Sequence, residues 1–403
     1  MDTIIERIAK FNAPLLPDMV QLKYKAMKEN AFRFLRGTCH IFYEDLSHAK
    51  GFPSSPLAWI CGDLHLENFG SFKGNNRMVY FDLNDFDESM LAPLNWELAR
   101  VLTSIYVAFD TLKLKKPVAD EMVTLFLNKY TEILRGGKAH YIDPRTAKGV
   151  VRYFLNNVKK RKERDLIKKI TDPDRKKLTI KIDNTLHFKL DPKLKEALIT
   201  HVSTWLKNTK DWPNNYAVKD AAFRVAGTGS IGLKRYMFLL QGIKAKDKYL
   251  LIELKQGTTS SLAPYNKTPQ PIWDSEASRM ITSKYRMQNV STALLSTTLF
   301  KKDAYILQEM QPYADKIHFE LLANHLKDLK MVLTDMAILT ASAQLRSSGI
   351  KGSAINDELT AFAAHNEWHK PLITYAKNYA NKVKADYNEY LSGYKELATK
   401  PTS

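Results

Sequence analysis

Apolar residues at Leu98, Val101, Leu102, Ile105 and Ala108 recur at three-to-four spacing and predict helix from Pro93 to about 136. Residues 1–50 have the same character. There Asp18 is the expected cap of a helix through Met19, Leu22 and Ala26 toward Phe32, Phe34 and Leu35. Gly51-Phe52-Pro53-Ser54-Ser55-Pro56 breaks the pattern before the apolar run Leu57–Cys61. Short strands are expected near 69–72 and 78–82, joined by the turn Lys73-Gly74-Asn75-Asn76. Residues 145–210 read as charged helices with a β-like interruption at Leu178–Ile182. From about 216 to 256 the pattern becomes strand-like, through Tyr236–Leu240 and Tyr249–Leu254. A helix at 274–290, a strand at Tyr305–Leu307 and terminal helices complete an α+β order.

Composition changes this picture little. The 403 residues carry 44% hydrophobic and 11% aromatic side chains, enough for a large core. No apolar run reaches 18 residues, and Met1–Arg7 lacks the basic start and apolar stretch of a signal peptide. The two cysteines, Cys39 and Cys61, argue against a disulfide framework and for a reducing, cytoplasmic setting. The formal charge of +18 is concentrated in Lys159–Arg164, Lys168-Lys169 and Arg175-Lys176-Lys177. Such a run is ordinarily a solvated face; an acidic partner or nucleic acid is the alternative, but no nucleic-acid motif accompanies it.

Candidate chemistry sits in two places. Cys61-Gly62-Asp63-Leu64-His65-Leu66-Glu67-Asn68 places an Asn five residues after an Asp, and Asp82 follows across one hairpin. Phosphoryl transfer requires a carboxylate to orient the attacking hydroxyl and oxygen ligands for magnesium. Asp63 suits the first task; Asn68 and Asp82 suit the second, with Asp85 and Asp87 close behind. His65 is expected to organise the loop by hydrogen bonding. A metal hydrolase using Asp63, His65, Asp82 and Asp85 is the rival, but it would have a single imidazole.

The second place is Gly227-Thr228-Gly229-Ser230-Ile231-Gly232. A dinucleotide fold would follow these glycines with a helix. Here the strand-like Leu233–Leu240 follows, as in the glycine hairpin that covers ATP phosphates. Lys255, 23 residues after Gly232, ends the next strand and would balance phosphate charge; Glu276, in the following helix, is its expected acidic partner.

Gly-Asp-Leu-His-x-x-Asn followed by Phe-Asp-Leu-Asn-Asp resembles the catalytic and metal loops of aminoglycoside, choline and related small-substrate kinases. Cys61 stands where those proteins have His, and Trp96-Glu97-Leu98-Ala99 resembles the helix start after their metal loop. In kinases the glycine hairpin and lysine come first, whereas here Asp63 precedes Lys255 by 192 residues. The order implies a circularly permuted chain, which requires Leu333–Arg346 to pack beside the catalytic loop. Over most of its length the chain is similar to an uncharacterised bacterial family, domain of unknown function 2252. The similarity runs through Phe32–Gly37, Cys61–Gly70, Phe81–Asp87 and Gly227–Leu233. Members tend to have Lys-Glu-Ala where this chain has Lys255-Gln256-Gly257, and a helical Glu near Thr282. Their Ala-His-Ala-Arg-Ser becomes Ala343-Gln344-Leu345-Arg346-Ser347.

These resemblances imply a permuted kinase-like fold with a small β-rich lobe and a larger helical lobe. Residues 1–110 would hold the catalytic and metal loops, 111–215 a charged helical part of the large lobe, 216–312 the nucleotide-binding lobe, and 313–403 the last helices. The implied activity is ATP- and Mg²⁺-dependent phosphotransfer to an unknown hydroxyl acceptor. Asp63, His65 and Lys255 form the catalytic set. Asn68, Asp82 and Asp85 hold metal; Gly227, Gly229, Ser230, Gly232, Lys255, Glu276 and Arg36 face the nucleotide. Arg36 serves equally as a phosphate ligand or as a partner of a loop acid. Alternatives are a nucleotide-binding pseudokinase, an AMP-transferring protein and a basic nucleic-acid-binding protein.

Overall fold

The computed structural model describes residues 2–172, 178–210, 212–213 and 215–399. Four helices open the chain: α1 (Ile4–Asn12), α2 (Pro17–Met27), α3 (Ala31–Gly37) and α4 (Cys39–Ser47). Pro17 starts α2 because its fixed φ and missing N–H suit a first helical turn. Leu16 therefore takes the cap position, and Asp18, the expected cap, lies inside the first turn.

Next come β1 (Leu57–Ile60), β2 (Phe69–Lys73), β3 (Val79–Leu83) and β4 (Met90–Pro93). β2 and β3 form the expected hairpin, whereas β1 pairs with β4 and so closes the loops between them into one knot. The long helices α5 (Leu94–Thr111) and α6 (Lys116–Arg135) follow. α5 is buried almost all round, including the side chains of Glu97 and Arg100. Then come α7 (Gly149–Lys159), α8 (Glu163–Ile170), β5 (Thr171–Asp172), β6 (Thr179–Ile180), β7 (His187–Phe188) and α9 (Pro192–Asn208).

The strand-like block becomes β8 (Tyr216–Arg224), β9 (Arg235–Gly242) and β10 (Tyr249–Gln256), an antiparallel meander. α10 (Glu276–Met287) leads to β11 (Leu295–Phe300) and β12 (Asp303–Glu309). The sheet order is β11-β12-β10-β9-β8-β7. The strand β13 (Asp315–Lys316) returns to pair with β2, tying the end of the sheet region to the catalytic hairpin. α11 (Leu326–Arg346), α12 (Asn356–Ala364) and α13 (His369–Thr399) complete the chain.

Side-chain alternation gives the six-stranded sheet two faces. Phe238, Leu240, Ile252 and Leu254 face Leu198, Val202 and Leu206 of α9, with Met19 and Leu22 of α2 beside them. On the opposite face Met237, Leu239 and Leu251 meet Ile170 and Ile180. Residues from α8 to α9 therefore pack on the sheet, although the sequence assigned 111–215 to the helical lobe. In the basic run, Arg161 pairs with Asp315, and Arg175-Lys176-Lys177 lies outside the described residues. Among the described residues no helix is long and apolar enough to cross a membrane.

The remaining helices form one large core with β1–β4. α11 lies against α6, and its Gln344 donates to Glu97 Oε2 at 3.1 Å while Glu97 Oε1 accepts the Cys61 N–H at 2.5 Å. Through Glu97, α11 thus reaches the loop that carries Asp63.

Burial, opposed by the Cys61 and Gln344 hydrogen bonds, pushes the Glu97 carboxyl from its usual 4.5 up to about 7. A raised acid contributes stability below its unfolded pKa and loses it as pH rises through the folded value. Relative to Glu97→Gln, wild type should lose on the order of 3 kcal/mol between pH 4.5 and 7.5. Urea unfolding at the two pH values measures this; a pH-independent difference would show that Glu97 does not titrate there.

Candidate functional site

The loop that carries Asp63 is shaped by a glycine. Gly62 has φ +83°, and a Cβ there would lie 2.3 Å from the Glu88 carbonyl oxygen. Its own carbonyl accepts from Tyr43 Oη. This pinch turns the chain so that Asp63 Oδ1 accepts from Arg100 Nε at 2.9 Å and Nη2 at 2.7 Å. Arg100 Nη2 also donates to the Leu35 carbonyl at 2.7 Å, so the guanidinium is held from two sides. Burial raises the Asp63 pKa and Arg100 opposes it. With Oδ1 engaged, Oδ2 is the oxygen left for a ligand, 3.9 Å from His65 Nε2.

His65 is buried, with Arg36 Nε 3.1 Å from Nε2 and the Glu67 N–H 3.1 Å from Nδ1. Burial, Arg36 and Arg100 hold its pKa well below the usual value, so the ring is neutral and organises the loop. Arg36 also pairs with Glu67, which takes Lys316 Nζ at 2.5 Å. Of the two expected roles for Arg36, the structural one is therefore occupied. Asn68 Nδ2 donates to the Asp63 carbonyl at 2.5 Å and leaves Oδ1 without a protein donor among the described residues.

The acidic loop after β3 differs from expectation. Asp82 is buried, accepts from Leu83 N at 2.8 Å, and faces Arg346 Nη2 at 3.8 Å. It lines neither cavity of the site, because its position in β3 directs it toward α11. Asp85 and Asp87, beyond the strand end, point into the cleft instead. Lys255 Nζ lies 2.5 Å from Asp87 and 3.5 Å from Asp85. Burial and the neighbouring Asp85 push Asp87 up; burial also opposes the charge on Asp85, but Lys255, the hydrogen bonds with Asp87 and Arg235 together hold it down. Glu276 does not reach Lys255. At the start of α10 it pairs with Arg279 at 2.6 Å and accepts from Thr259 at 3.3 Å.

The glycine turn uses its freedom at two points. Gly227 has φ +69° and Gly232 has φ +104°. A Cβ on Gly232 would lie 2.9 Å from Leu15 Cβ, and Leu16 N donates to the Gly232 carbonyl at 3.0 Å. The segment between α1 and α2 therefore straps the turn. Ser230 Oγ donates within the turn to the Ala226 carbonyl at 2.6 Å.

Two cavities meet here. An outer one of about 590 Å³ is lined by Asp63, Gly227, Gly229, Ser230, Glu88 and Lys23, among others. An inner one of about 290 Å³ is lined by Lys255, Arg235, Lys284 and Gln308. Arg36, Asn68, Asp85 and Asp87 line both and form the wall between them. Lys284, buried on α10, has its pKa lowered to about 8 by burial and by Lys255. Below Lys255 the sheet carries buried Glu253, paired with Arg224 at 2.5 Å and Arg235 at 3.1 Å.

Among the described residues no group of three His, Cys, Asp or Glu could by itself hold a metal. Asp85, Asp87 and the free Asn68 Oδ1 nevertheless fit magnesium, which is held by one or two carboxylates together with substrate phosphates. The crowded carboxylate pair, with an ammonium already between its oxygens, is a place where added positive charge is favourable.

Sequence reasoning missed Arg100, Lys23, Arg235 and Lys284. The available signal was a charge on an apolar stripe: Arg100 between Leu98 and Val101, Lys23 between Val20 and Met27.

Residues 15–392 match the family described as an uncharacterized protein conserved in bacteria (DUF2252). No curated protein and no solved structure matches the chain.

Gly62→Ala should destabilise the fold by at least about 2 kcal/mol, since strain at positive φ and a backbone clash coincide. Gly229→Ala, with ordinary φ and no contact below 3.4 Å, should change stability by less than about 1 kcal/mol. Urea denaturation of both variants checks this.

Proposed function

We propose that this chain, which belongs to that uncharacterised bacterial family, is an ATP- and Mg²⁺-dependent phosphotransferase with a circularly permuted kinase-like fold. One observation carries the reading. Lys255 from the third strand of the meander meets Asp85 and Asp87 of the metal loop, 170 and 168 residues away in sequence, beside Asp63 and the glycine turn. The contact of Gln344 with Glu97 supports the permutation, because it brings a C-terminal helix against the catalytic loop.

In this reading the phosphates lie at the wall between the cavities. Asp85, Asp87 and Asn68 would hold magnesium, which when bound neutralises phosphate charge. Lys255 balances the same charge from the sheet. Backbone amides around Gly227 and Gly229 approach from above, where a side chain would block them. Asp63, oriented by Arg100, offers Oδ2 to the acceptor hydroxyl and orients it or takes its proton. Asp82 and Glu276 leave the roles first expected of them, the metal passing to Asp85 with Asp87 and the lysine's partners to the same two carboxylates.

A second reading, nucleotide binding without turnover, has its own support. Lys255 is already paired with the carboxylates that would hold metal, and α10 presents Lys284 to the inner cavity where an acid was expected. Transfer of AMP through the same groups belongs with these alternatives. A cytoplasmic location accords with the two unpaired cysteines.

Thermal unfolding with Mg²⁺-ATP tests the proposal. At a hundredfold excess over Kd, wild type should gain about 2.7 kcal/mol. Lys255→Ala and Asp85→Asn should lose most of that gain, and Asp82→Asn should keep it. Absence of stabilisation in wild type would sink the reading. Binding without transfer to any hydroxyl acceptor, unaffected by Asp63→Asn, would select the pseudokinase.

A further inference from the structure

Lys23 is only 1% exposed, yet it forms no ion pair among the described residues. Its Nζ donates to Asn12 Oδ1 at 2.8 Å. That oxygen is fixed in place because Asn12 Nδ2 donates to the Ile8 carbonyl at 2.9 Å. The ammonium also lies 5.5 Å from the centre of the Phe11 ring. An ammonium has three donors, so two remain for something else. Burying a cation without a contact anion is expensive, and such groups concentrate at functional sites.

Its position gives the group a use. Lys23 and Asp63 line the outer cavity, whereas Lys255, Arg235 and Lys284 line the inner one. Lys255, Arg235 and Lys284 thus supply positive charge on one side of the wall; on the other Lys23 joins Arg36, which is already paired with Glu67. Phe11, Pro14 and Leu15 close that outer side with apolar surface. The bond from Leu16 N to the Gly232 carbonyl straps this surface to the glycine turn. A concave cavity of about 590 Å³ walled in this way is of a size that suits a small molecule.

We infer that the outer cavity is the acceptor site and that Lys23 is its anion-binding group, so the acceptor is a small molecule carrying a carboxylate or phosphate beside its reactive hydroxyl. The word acceptor rests on the phosphotransferase reading; the anion site does not. The lowered pKa of Lys23, about 8 through burial and opposed by Glu88, Cys39 and Asp63, accords with a cation awaiting a closer anion. The competing role is structural, with Lys23 balancing Asp63 and Glu88 through space.

Two matched series separate these roles: glycerol, D-glycerate and glycerol 3-phosphate, and glucose, gluconate and glucose 6-phosphate. Each is titrated calorimetrically into the full chain with and without Mg²⁺-ATP. Wild type should bind a charged member at least tenfold more tightly than the neutral parent, and the tighter of the two identifies the anion. Lys23→Met should abolish that preference and Lys23→Arg should retain part of it. The ligand-free melting temperature of Lys23→Met should be unchanged or higher, and its Mg²⁺-ATP shift unchanged. Lys23→Gln repeats the test if the Met variant does not fold. No preference for charged members in wild type overturns the inference, as does a preference that survives Lys23→Met or a clear fall in ligand-free melting temperature. If the Lys23-dependent preference is found but Mg²⁺-ATP does not bind, the anion site stands and the phosphotransferase reading falls; the reverse result does the opposite.

Discussion

A buried ammonium is costly without a contact anion, and the pairing that answers Lys255 organises the cleft. Lys255 ends a central strand of the six-stranded sheet and meets Asp85 and Asp87, which belong to a loop under a different core. Removing Lys255 would leave two neighbouring carboxylates unanswered, which is more costly than losing a surface pair. The sheet and the catalytic loops are therefore held in one relative position by chemistry that also shapes the cleft. Beneath Lys255, Glu253 clamps Arg224 and Arg235, so this sheet face is polar at the end toward the inner cavity, while Leu251, Met237 and Leu239 make it apolar farther along and the opposite face is packed with aliphatic and aromatic residues.

The loop that carries Asp63 follows the same logic on a smaller scale. Asp63 is buried and answered by Arg100, which a neighbouring helix presents along with Glu97. Glu97 in turn holds the Cys61 amide, and α11 completes it through Gln344. Gly62 allows the backbone to pass close under Glu88, a route closed to any residue with a Cβ. Three distant parts of the chain thereby determine where one carboxylate points.

The N-terminal segment adds an enclosure. Its residues between α1 and α2 hold the glycine turn down and wall the outer cavity, so access there is narrower than an open hairpin would leave. The same helices bring Lys23 into the chamber from an element that no catalytic motif marks.

The positions of helices and strands were largely legible, because hydrophobic period depends on local geometry: the 69–83 hairpin, the meander and α5, α6 and α10 lie where alternation and three-to-four spacing put them. Residues 1–50 are helical as read, while β1, β4 and β11 were not foreseen, since short buried strands have no distinctive period. Asp63, Asn68 and the glycine turn, which spacing singles out in the sequence, line one cavity. Choosing among Asp82, Asp85 and Asp87 was not possible in the same way, because one residue of register or a turn past a strand end reverses which face a carboxylate meets. Partnership was equally hidden: Glu276 is taken by Arg279 one turn along its own helix, and Lys255 is answered from 168 residues away. By itself the sequence determined the elements and the residue types the chemistry draws on. The tertiary structure alone decided which charges share a cavity, since burial and pairing arise only when distant segments exclude water together.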